Sequence, residues 1–552
     1  MPTIEISKTD LEELCKKKFS IENLKELLEN QKISLENDNK DILTLKIEDT
    51  NRADLLSVEG IARQLKGTIK KEIGIPVYKP EKNGKSFIVK IDPKVSRVRP
   101  FTACCVVKNL KFDDYFIQQI IQLQEKLTDT FGKKRKEAAI GVYDFDKIKW
   151  PITYTTFKPE SLSFQPLGTS EMLNLKQILE KHEKGKEFGH LLKAYKEYPV
   201  FIDADKQVLS MPPIINSEYS GKVTKDTKNV FIEVSGFDFE KVSFILNIIA
   251  SALAERKGTI YSVNLQGLNK TTPEFKSRIK KIKIQDINSL LGIKLTAREI
   301  NELLYKQRFY SKQDPKDKDL LIVEIPFFRK DIIHENDLIE EIAISYGYNN
   351  LEPIEPKIYT QGSILEETQT NNDLSEKLIG LEFQEILSFM LTNEKEQFDN
   401  MALNESKEII KIKNPLSETF TCLRHSLLPS SLKFLSNNID KDFPQKIFEI
   451  GKIVVTDQKK ENKSREENRL CLTISHSKAN FTEIQEILNY LIKEKVQLKP
   501  KDLPSFISGR CAEIIINKKS IGIIGEIHPK VLSKWKLRMP AVSLEINLDD
   551  LN

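Results

Sequence analysis

The sequence is poor in the residues that mark secreted, zinc-binding or fibrous proteins. Its 552 residues include six cysteines, 21 glycines and 23 prolines. The cysteines form no CxxC pair and no disulfide-like spacing, which argues against a zinc-ribbon class and favours a reducing compartment. Glycine and proline are too scarce for a fibrous or linker-dominated chain. The first residues, MPTIEISKTD, lack the basic and apolar regions of a secretory signal. We therefore expect a cytoplasmic protein.

Long apolar runs and a strong charge imbalance are also missing. The longest nearly apolar run, residues 242–254, is interrupted by two serines and an asparagine, and it is shorter than the roughly 20 residues that span a bilayer. We therefore expect no membrane partner. The 86 basic and 81 acidic side chains give a net charge of +5. This near balance argues against a basic tail that coats polyanions. The hydrophobic content of 39% is typical of a globular protein with hydrophobic cores. The length suggests about three to five domains.

Periodicity predicts a multidomain α+β fold with four segments. Residues 1–85 alternate short strands and helices as a small α/β module. Residues 86–268 mix strands with two or three helices, and residues 209–221 read as a proline-containing loop between strong strands. Residues 269–352 contain short helices. Residues 353–552 alternate helices and strands as one further α+β unit.

The third segment has the outline of a helix–turn–helix. Helices are predicted at Ile284–Leu291 and Ala297–Lys306, with Thr296 as the N-cap of the second. A basic run precedes them, consisting of Lys276, Arg278, Lys280, Lys281 and Lys283. Such a run contacts phosphates in nucleic-acid-binding proteins, and elsewhere it is a solvated charged surface. Both interpretations stay open from the pattern.

The same segment contains a cluster of acidic residues. Asp337, Glu340 and Glu341 share one face of a predicted helix, and Asp331 precedes that helix. Four carboxylates would form an all-oxygen site suited to a hard cation such as Mg²⁺. The alternative is a solvated acidic face that pairs with Arg329 and Lys330.

A second polar set lies in the segment 86–268. Glu233 and Ser235 would point to the same side of a strand, because alternate residues share a face. Ser210 lies in the loop 209–221, together with Ser217 and Glu218. These side chains could line a polar pocket, or the hydroxyls could cap turns while Glu233 lies on an exposed strand face. No GxSxG motif and no nearby histidine accompany them. The six histidines form no HExxH, and neither GxxxxGK[ST] nor GxGxxG occurs, so the chain displays no nucleotide site of its own.

Short motifs follow one another through all four segments: NRADLLSVEGIAR (51–63), FQPLG (164–168), VLSMPPIINSE (208–218), VFIEVSG (230–236), RKDI (329–332), DLIEEIA (337–343), NPLS (414–417), RHSLLP (424–429), FEIG (448–451) and GEIHP (525–529). With this set in this order, the chain resembles the β subunit of phenylalanyl-tRNA synthetase of the archaeal/eukaryotic type over nearly its whole length.

The resemblance implies a role for each segment. The first would dock against its neighbours. The second would be an editing domain that hydrolyses tRNA mischarged with tyrosine, with Glu233 meeting the tyrosine hydroxyl and Ser210 and Ser235 lining the pocket. The third would be a winged, DNA-binding-like helix–turn–helix domain that binds one Mg²⁺ through Asp331, Asp337, Glu340 and Glu341. The fourth would be a class II synthetase-like antiparallel sheet domain that lacks a catalytic site.

The resemblance also implies a complex. Phenylalanine would be attached to tRNA(Phe) at the expense of ATP in an α subunit, within an α₂β₂ heterotetramer, and this chain would supply no catalytic residue for aminoacylation. Ser235 stands where many relatives have threonine, and Glu233 where archaeal-type relatives often have aspartate. Two alternatives belong to other classes: a nucleic-acid-binding scaffold without enzymatic activity, and a structural subunit in which editing is lost.

Overall fold

A computed structural model describes residues 1–81, 87–406 and 408–551. The chain divides into two compact units, Met1–Glu355 and Pro356–Asn552. The predicted boundary between residues 85 and 86 lies outside the described residues, and the division into four segments stays a prediction. The mixture of helices and sheets in both units confirms the α+β class.

The start of the first unit is a small sheet with helices, as the alternating pattern predicts. Strand Ile42–Ile47 lies between Thr3–Ser7 and Ile33–Asn39, and both pairings are antiparallel. Every second residue of the first strand, Ile4 and Ile6, is buried. Three helices accompany this sheet, each begun by a serine that accepts a backbone N–H: Lys8–Cys15, Ile21–Glu29 and Val58–Thr68.

A ten-stranded mixed sheet forms the middle of this unit. Nine of its strands follow one another in space in the order Ile215–Asn216, Val208–Met211, Tyr198–Ile202, Ile152–Phe157, Ile88–Ile91, Thr259–Gln266, Phe101–Lys108, Val230–Gly236 and Ala138–Asp144. The tenth, Lys270–Thr272, pairs with Thr259–Gln266. The helices of this region are Asp114–Asp129, Leu175–Lys181, Glu183–Phe188, Glu218–Gly221 and Phe239–Glu255, and a two-stranded ribbon joins Ser163–Phe164 to Leu173–Asn174.

The two faces of this sheet bury different side chains. Val230, Ile232 and Val234 belong to the core that includes the helix Phe239–Glu255. Phe231 belongs to a second core with Tyr143 and Cys104. Since alternate residues of a strand share a face, Glu233 and Ser235 lie on the side of this second core.

Residues 278–346 form a three-stranded antiparallel sheet with three helices. Strand Leu320–Ile325 lies between Arg278–Lys283 and Tyr310–Gln313. The helices are Ile284–Leu291, Ala297–Lys306 and Glu335–Tyr346, so the first two agree with the predicted bounds. Gly292 turns the chain between them with φ +69°, a conformation that favours glycine. The Thr296 side chain accepts the backbone N–H of Glu299, and the Glu299 carboxylate accepts the backbone N–H of Thr296, which confirms the predicted cap.

The second unit is built on a seven-stranded sheet. Its order in space is Gln384–Glu385, Gln445–Thr456, Ser464–Ser475, Ala541–Asn547, Lys519–Ile527, Phe506–Ile516 and Gln497–Pro500. All neighbours are antiparallel except the first pair. Its helices are Glu366–Gly380, Leu428–Asn437, Phe481–Leu491 and Pro529–Lys534, and a ribbon pairs Leu391–Thr392 with Cys422–Leu423. In the parts of the chain that the structure describes, none of the helices combines the length and apolarity needed to cross a membrane.

Candidate functional site

Glu233 lies in the interior of the ten-stranded sheet. Its strand is hydrogen-bonded on both sides, and the register places it opposite Cys104 on one neighbour and Gly141 on the other. Only 2% of the residue is exposed. The alternative of an exposed strand-face carboxylate is therefore wrong, because the strand is paired on both sides and both faces of the sheet bury side chains.

A chain of hydroxyl groups connects Glu233 to Ser210. The Tyr143 hydroxyl lies 3.1 Å from Glu233 Oε1 and 2.7 Å from Ser210 Oγ. All three side chains are buried, so water does not compete for these bonds. The structure thus brings Ser210 to Glu233 through a third residue.

The second carboxyl oxygen of Glu233 has a different environment. Glu233 Oε2 is buried and has no hydrogen-bond partner within the described residues. Burial raises the pKa of Glu233 to about 8, although the Tyr143 hydrogen bond, the Arg99 charge and the nearby Ser235 hydroxyl act to lower it. The site therefore has a carboxyl group that is largely protonated at neutral pH and has one oxygen free to bind a polar group.

Glu233 lines a cavity of about 570 Å³. One wall comes from the helix Asp114–Asp129, with Ile117, Ile120 and Ile121 among its lining residues. The turn Pro212–Pro213 and the residues that follow it supply another wall. Charged side chains such as Arg135, Lys184 and Glu187 also line this cavity, and Glu233 is its buried carboxyl group. The apolar walls beside this carboxyl group suit the part of a ligand that is apolar except for one hydroxyl group.

Ser235 is fully buried and lies two residues after Glu233, on the same face of the strand. Arg99 donates from Nε to Ser235 Oγ at 3.2 Å and from a terminal nitrogen to the Ser235 carbonyl at 2.7 Å. Burial lowers the pKa of Arg99 to about 10. Ser235 therefore fixes a cation whose charge acts on Glu233, and it is not among the residues that line the cavity. Ser217 caps the helix Glu218–Gly221, and Glu218 pairs with Lys222.

The predicted loop 209–221 is wrong in part. Its start pairs as a hairpin, with Ser210 opposite Asn216 and Met211 opposite Ile215. The two prolines lie in the turn of this hairpin at the end of the sheet. Proline has no backbone N–H, and no sheet hydrogen bond needs one at this position. The hairpin rather than a loop therefore positions Ser210.

The four acidic residues are not gathered around a common point. In the described ranges, no group of three or more potential ligands is placed to hold a metal ion. Arg329, which is fully buried, donates to both Asp331 and Glu341, at 2.7 and 2.5 Å. Burial disfavours its charge, but Glu341 and Asp331 outweigh this and raise the pKa of Arg329. This arrangement corresponds to the alternative interpretation, in which Arg329 neutralises the acidic face.

The other two carboxylates also have partners. Glu340 pairs with Lys32 at 2.5 Å. Asp337 accepts the backbone N–H groups of Ile333 and His334, both at 2.7 Å, at the start of its helix. As placed, the four side chains do not fit one Mg²⁺, because a metal bound to Asp331 and Glu341 would leave a buried guanidinium without its counter-charges. The magnesium site stays a prediction that this arrangement does not support.

The basic run lies on the strand Arg278–Lys283 and its approach rather than on the helix–turn–helix. Arg278 donates to the carbonyls of Arg329 and Ile332, and Lys276 pairs with Glu274. Part of the run therefore serves internal contacts, which does not favour a dedicated nucleic-acid surface.

Tyr143, Gly141 and Arg99 are the site residues that the sequence did not indicate. Tyr143 and Gly141 come from the edge strand Ala138–Asp144, and Arg99 comes just before the strand Phe101–Lys108. From the sequence, no strand is predicted at residues 138–144. Only the pairing with Val230–Gly236 brings these residues to Glu233.

Comparison with known proteins gives three matches in chain order. Residues 115–257 match a model described as "B3/4 domain", and residues 280–348 match "tRNA synthetase B5 domain". Residues 351–548 match "Phenylalanyl tRNA synthetase beta chain CLM domain". Together they define a subunit of an aminoacyl-tRNA synthetase.

Relatives match along the whole chain. The phenylalanine–tRNA ligase beta subunit of Pyrococcus horikoshii is 41% identical over 560 residues and covers 100% of both chains. That of Thermococcus kodakarensis is 39% identical over 574 residues, covering 100% of this chain and 99% of its own. The crystal structure of an N-terminal fragment of the P. horikoshii subunit is 42% identical, with a TM-score of 0.60, and covers 63% of this chain and 100% of the fragment. The chain belongs to the phenylalanine–tRNA ligase beta-subunit family, which confirms the resemblance and the assignment to a ligase subunit.

Proposed function

We propose that this chain edits the product of the ligase by hydrolysing tyrosine that has been attached to tRNA(Phe). A pocket that binds phenylalanine cannot strongly exclude an isostere that only adds a hydroxyl group, so a second pocket that selects for this hydroxyl corrects the error. The observation that carries the proposal is the buried Glu233 carboxyl group, with one unpartnered oxygen, beside the apolar walls of the cavity.

In this proposal, each part of the pocket contributes to binding or hydrolysis. The Glu233 Oε2 atom accepts the hydrogen bond of the tyrosine hydroxyl, and the apolar walls enclose the ring. Ser210 and Ser235 support this carboxyl group through Tyr143 and Arg99. A water molecule, oriented by pocket groups and the tRNA itself, attacks the ester carbonyl. The ester bond breaks, and the products are tyrosine and tRNA with a free ribose hydroxyl.

The proposal extends to a complex and to domain roles. In an α₂β₂ assembly, ATP and phenylalanine bind to the α subunit, and this chain contributes no aminoacylation residue. Residues 86–268 are the editing domain, 1–85 and 269–352 are docking and helix–turn–helix domains, and 353–552 is the catalytically inactive class II-like domain. The domain-model matches at 115–257 and 280–348 fall inside two of these segments. All six cysteines are buried and unpaired, which suits the reducing cytoplasm.

An exposed apolar patch supports the α-subunit proposal. Leu387 and Phe389 are among the most exposed apolar side chains of the second unit, and Phe389 contacts Phe420 edge to face at 6.1 Å. We call these three residues the 387–420 patch. Clustered exposed apolar residues mark protein interfaces.

The editing proposal is tested by hydrolysis of purified Tyr-tRNA(Phe) with the complex of this chain and the α subunit. We expect the wild type to release tyrosine, and Glu233→Ala to reduce the rate by about tenfold or more, because the phenol loses a hydrogen bond in a buried site. Glu160→Ala is the matched control, since Glu160 is exposed and pairs only with Lys176. Equal rates for the wild type and Glu233→Ala would contradict the role of Glu233. No hydrolysis by the wild type would favour the structural subunit without editing.

A further inference from the structure

Gly141 and Tyr143 lie beside Glu233 on the neighbouring strand. They are two residues apart, so they share a face, and Gly141 is the direct partner of Glu233 in the register. The Tyr143 ring packs on Phe231 with centroids 5.6 Å apart. The phenol therefore extends from its own position along the strand toward the carboxyl group.

Because Gly141 has no side chain, the Tyr143 phenol can occupy the space beside the Glu233 carboxyl group. A Cβ atom at residue 141 would clash with the Tyr143 hydroxyl and would lie 2.8 Å from Glu233 Oε1. Since real Cβ atoms do not approach so closely, any larger residue would push the phenol or the carboxyl group away. Glycine is required here for space and not for its backbone freedom.

The hydroxyl of Tyr143 has one hydrogen and two oxygen neighbours. It can donate to only one of them, so the other bond must be donated to it. When Glu233 is ionised, Ser210 donates to Tyr143 and Tyr143 donates to Glu233 Oε1. When Glu233 is protonated on Oε1, the direction is reversed and Ser210 accepts. In both arrangements Oε1 is occupied and Oε2 stays free as an acceptor.

We propose that Tyr143 is a positioning residue that sets the specificity of the editing pocket, with Gly141 providing the space it occupies. By holding Oε1, Tyr143 fixes the plane of the carboxyl group and leaves Oε2 as the acceptor for the tyrosine hydroxyl of the substrate. A phenylalanyl group cannot donate to Oε2 and leaves it unpaired, which penalises its binding. This inference rests on the proposed editing function.

Tyr143→Phe tests the proposal because it removes only the hydroxyl group and keeps the ring that packs on Phe231. With the α-subunit complex, we expect kcat/KM for Tyr-tRNA(Phe) hydrolysis to fall about tenfold, the equivalent of one hydrogen bond. We expect the ratio of Tyr-tRNA(Phe) to Phe-tRNA(Phe) hydrolysis to fall with it. Tyr115→Phe is the matched control, since the Tyr115 hydroxyl accepts only the Ser7 N–H and lies away from this hydroxyl chain.

The pH profile separates positioning from a purely structural effect. The Tyr143 hydrogen bond lowers the pKa of Glu233, so its loss should move the inflection of the hydrolysis profile to higher pH. A merely structural role would lower the rate without moving the inflection. Gly141→Ala should reduce selectivity as Tyr143→Phe does, with circular dichroism confirming that the variant folds.

The outcomes distinguish this inference from the function on which it rests. If the wild type hydrolyses Tyr-tRNA(Phe) and Glu233→Ala impairs it, while Tyr143→Phe keeps wild-type selectivity and pH profile, the positioning role is wrong and editing stands. If the wild type shows no hydrolysis, the editing function and this inference are both overturned.

Discussion

At the scale of single residues, Glu233 combines a costly burial with only partial pairing. A carboxyl group without water prefers its protonated form, and this is why burial raises its pKa to about 8. Tyr143, whose hydroxyl also contacts Ser210, satisfies one carboxyl oxygen of Glu233 only. Such a group destabilises the free protein and gains its missing partner when a ligand binds, which is typical of functional sites.

Glu233→Gln should therefore change how stability depends on pH. The folded-state pKa is above the unfolded value, so the wild type binds an extra proton when folded and loses stability as pH rises from about 4.5 to about 8. Each unit of raised pKa corresponds to about 1.4 kcal/mol. Urea unfolding at several pH values should show a steeper loss for the wild type than for Glu233→Gln. Parallel curves for the two proteins would contradict the raised pKa.

The sequence predicts this site only within one strand. Period-two alternation correctly places Glu233 and Ser235 on one side. Tyr143 is 90 positions away from Glu233 in the chain, and no local pattern specifies which strand pairs with Val230–Gly236. The pairing also decides that Glu233 is buried, which rules out the alternative of an exposed strand-face carboxylate.

At the scale of elements, the helix Glu335–Tyr346 shows what spacing can and cannot predict. The pattern correctly predicts that Asp337, Glu340 and Glu341 belong to one helix. It does not specify the directions of the side chains: Glu341 pairs with Arg329, which the alternative interpretation named, whereas Glu340 pairs with Lys32 from the start of the chain. By contrast, Thr296 and Glu299 form a local capping box, and local signals of this kind predicted the bounds of the helix correctly.

Because Arg329 and Lys32 already pair with three of the four carboxylates, and Asp337 accepts two backbone N–H groups, Mg²⁺ should not stabilise this chain. We expect the melting temperature of the wild type to be the same in EDTA and in millimolar Mg²⁺. The melting temperature of the double variant Asp337→Asn, Glu340→Gln should likewise not change with Mg²⁺. A saturable rise in melting temperature with Mg²⁺ that the double variant abolishes would show that the four-carboxylate site forms.

At the scale of the whole molecule, the near-balanced charge of +5 suits a chain with much scaffold and interface surface. The length bounds the number of domains, and the family resemblance supplies their order. Neither reveals the 387–420 patch, because exposed apolar residues cannot be told from core residues until the fold is known.

If the patch binds the α subunit, charges placed in it should weaken the complex. We expect Leu387→Asp combined with Phe389→Asp to reduce co-purification with the α subunit by about tenfold or more, since two apolar anchors are lost. Tyr490→Asp is the control, because Tyr490 is also exposed in the second unit but lies outside the patch. Undiminished co-purification of the double variant would place the interface elsewhere.

The central claim is that Glu233 selects tyrosine by its hydroxyl group. The most direct measurement is the ratio of hydrolysis rates for Tyr-tRNA(Phe) and Phe-tRNA(Phe), determined for the wild-type complex and for Glu233→Ala. We predict a large preference for Tyr-tRNA(Phe) in the wild type that falls about tenfold or more in the variant. A variant that loses activity equally on both substrates, or that keeps the wild-type ratio, would contradict the claim.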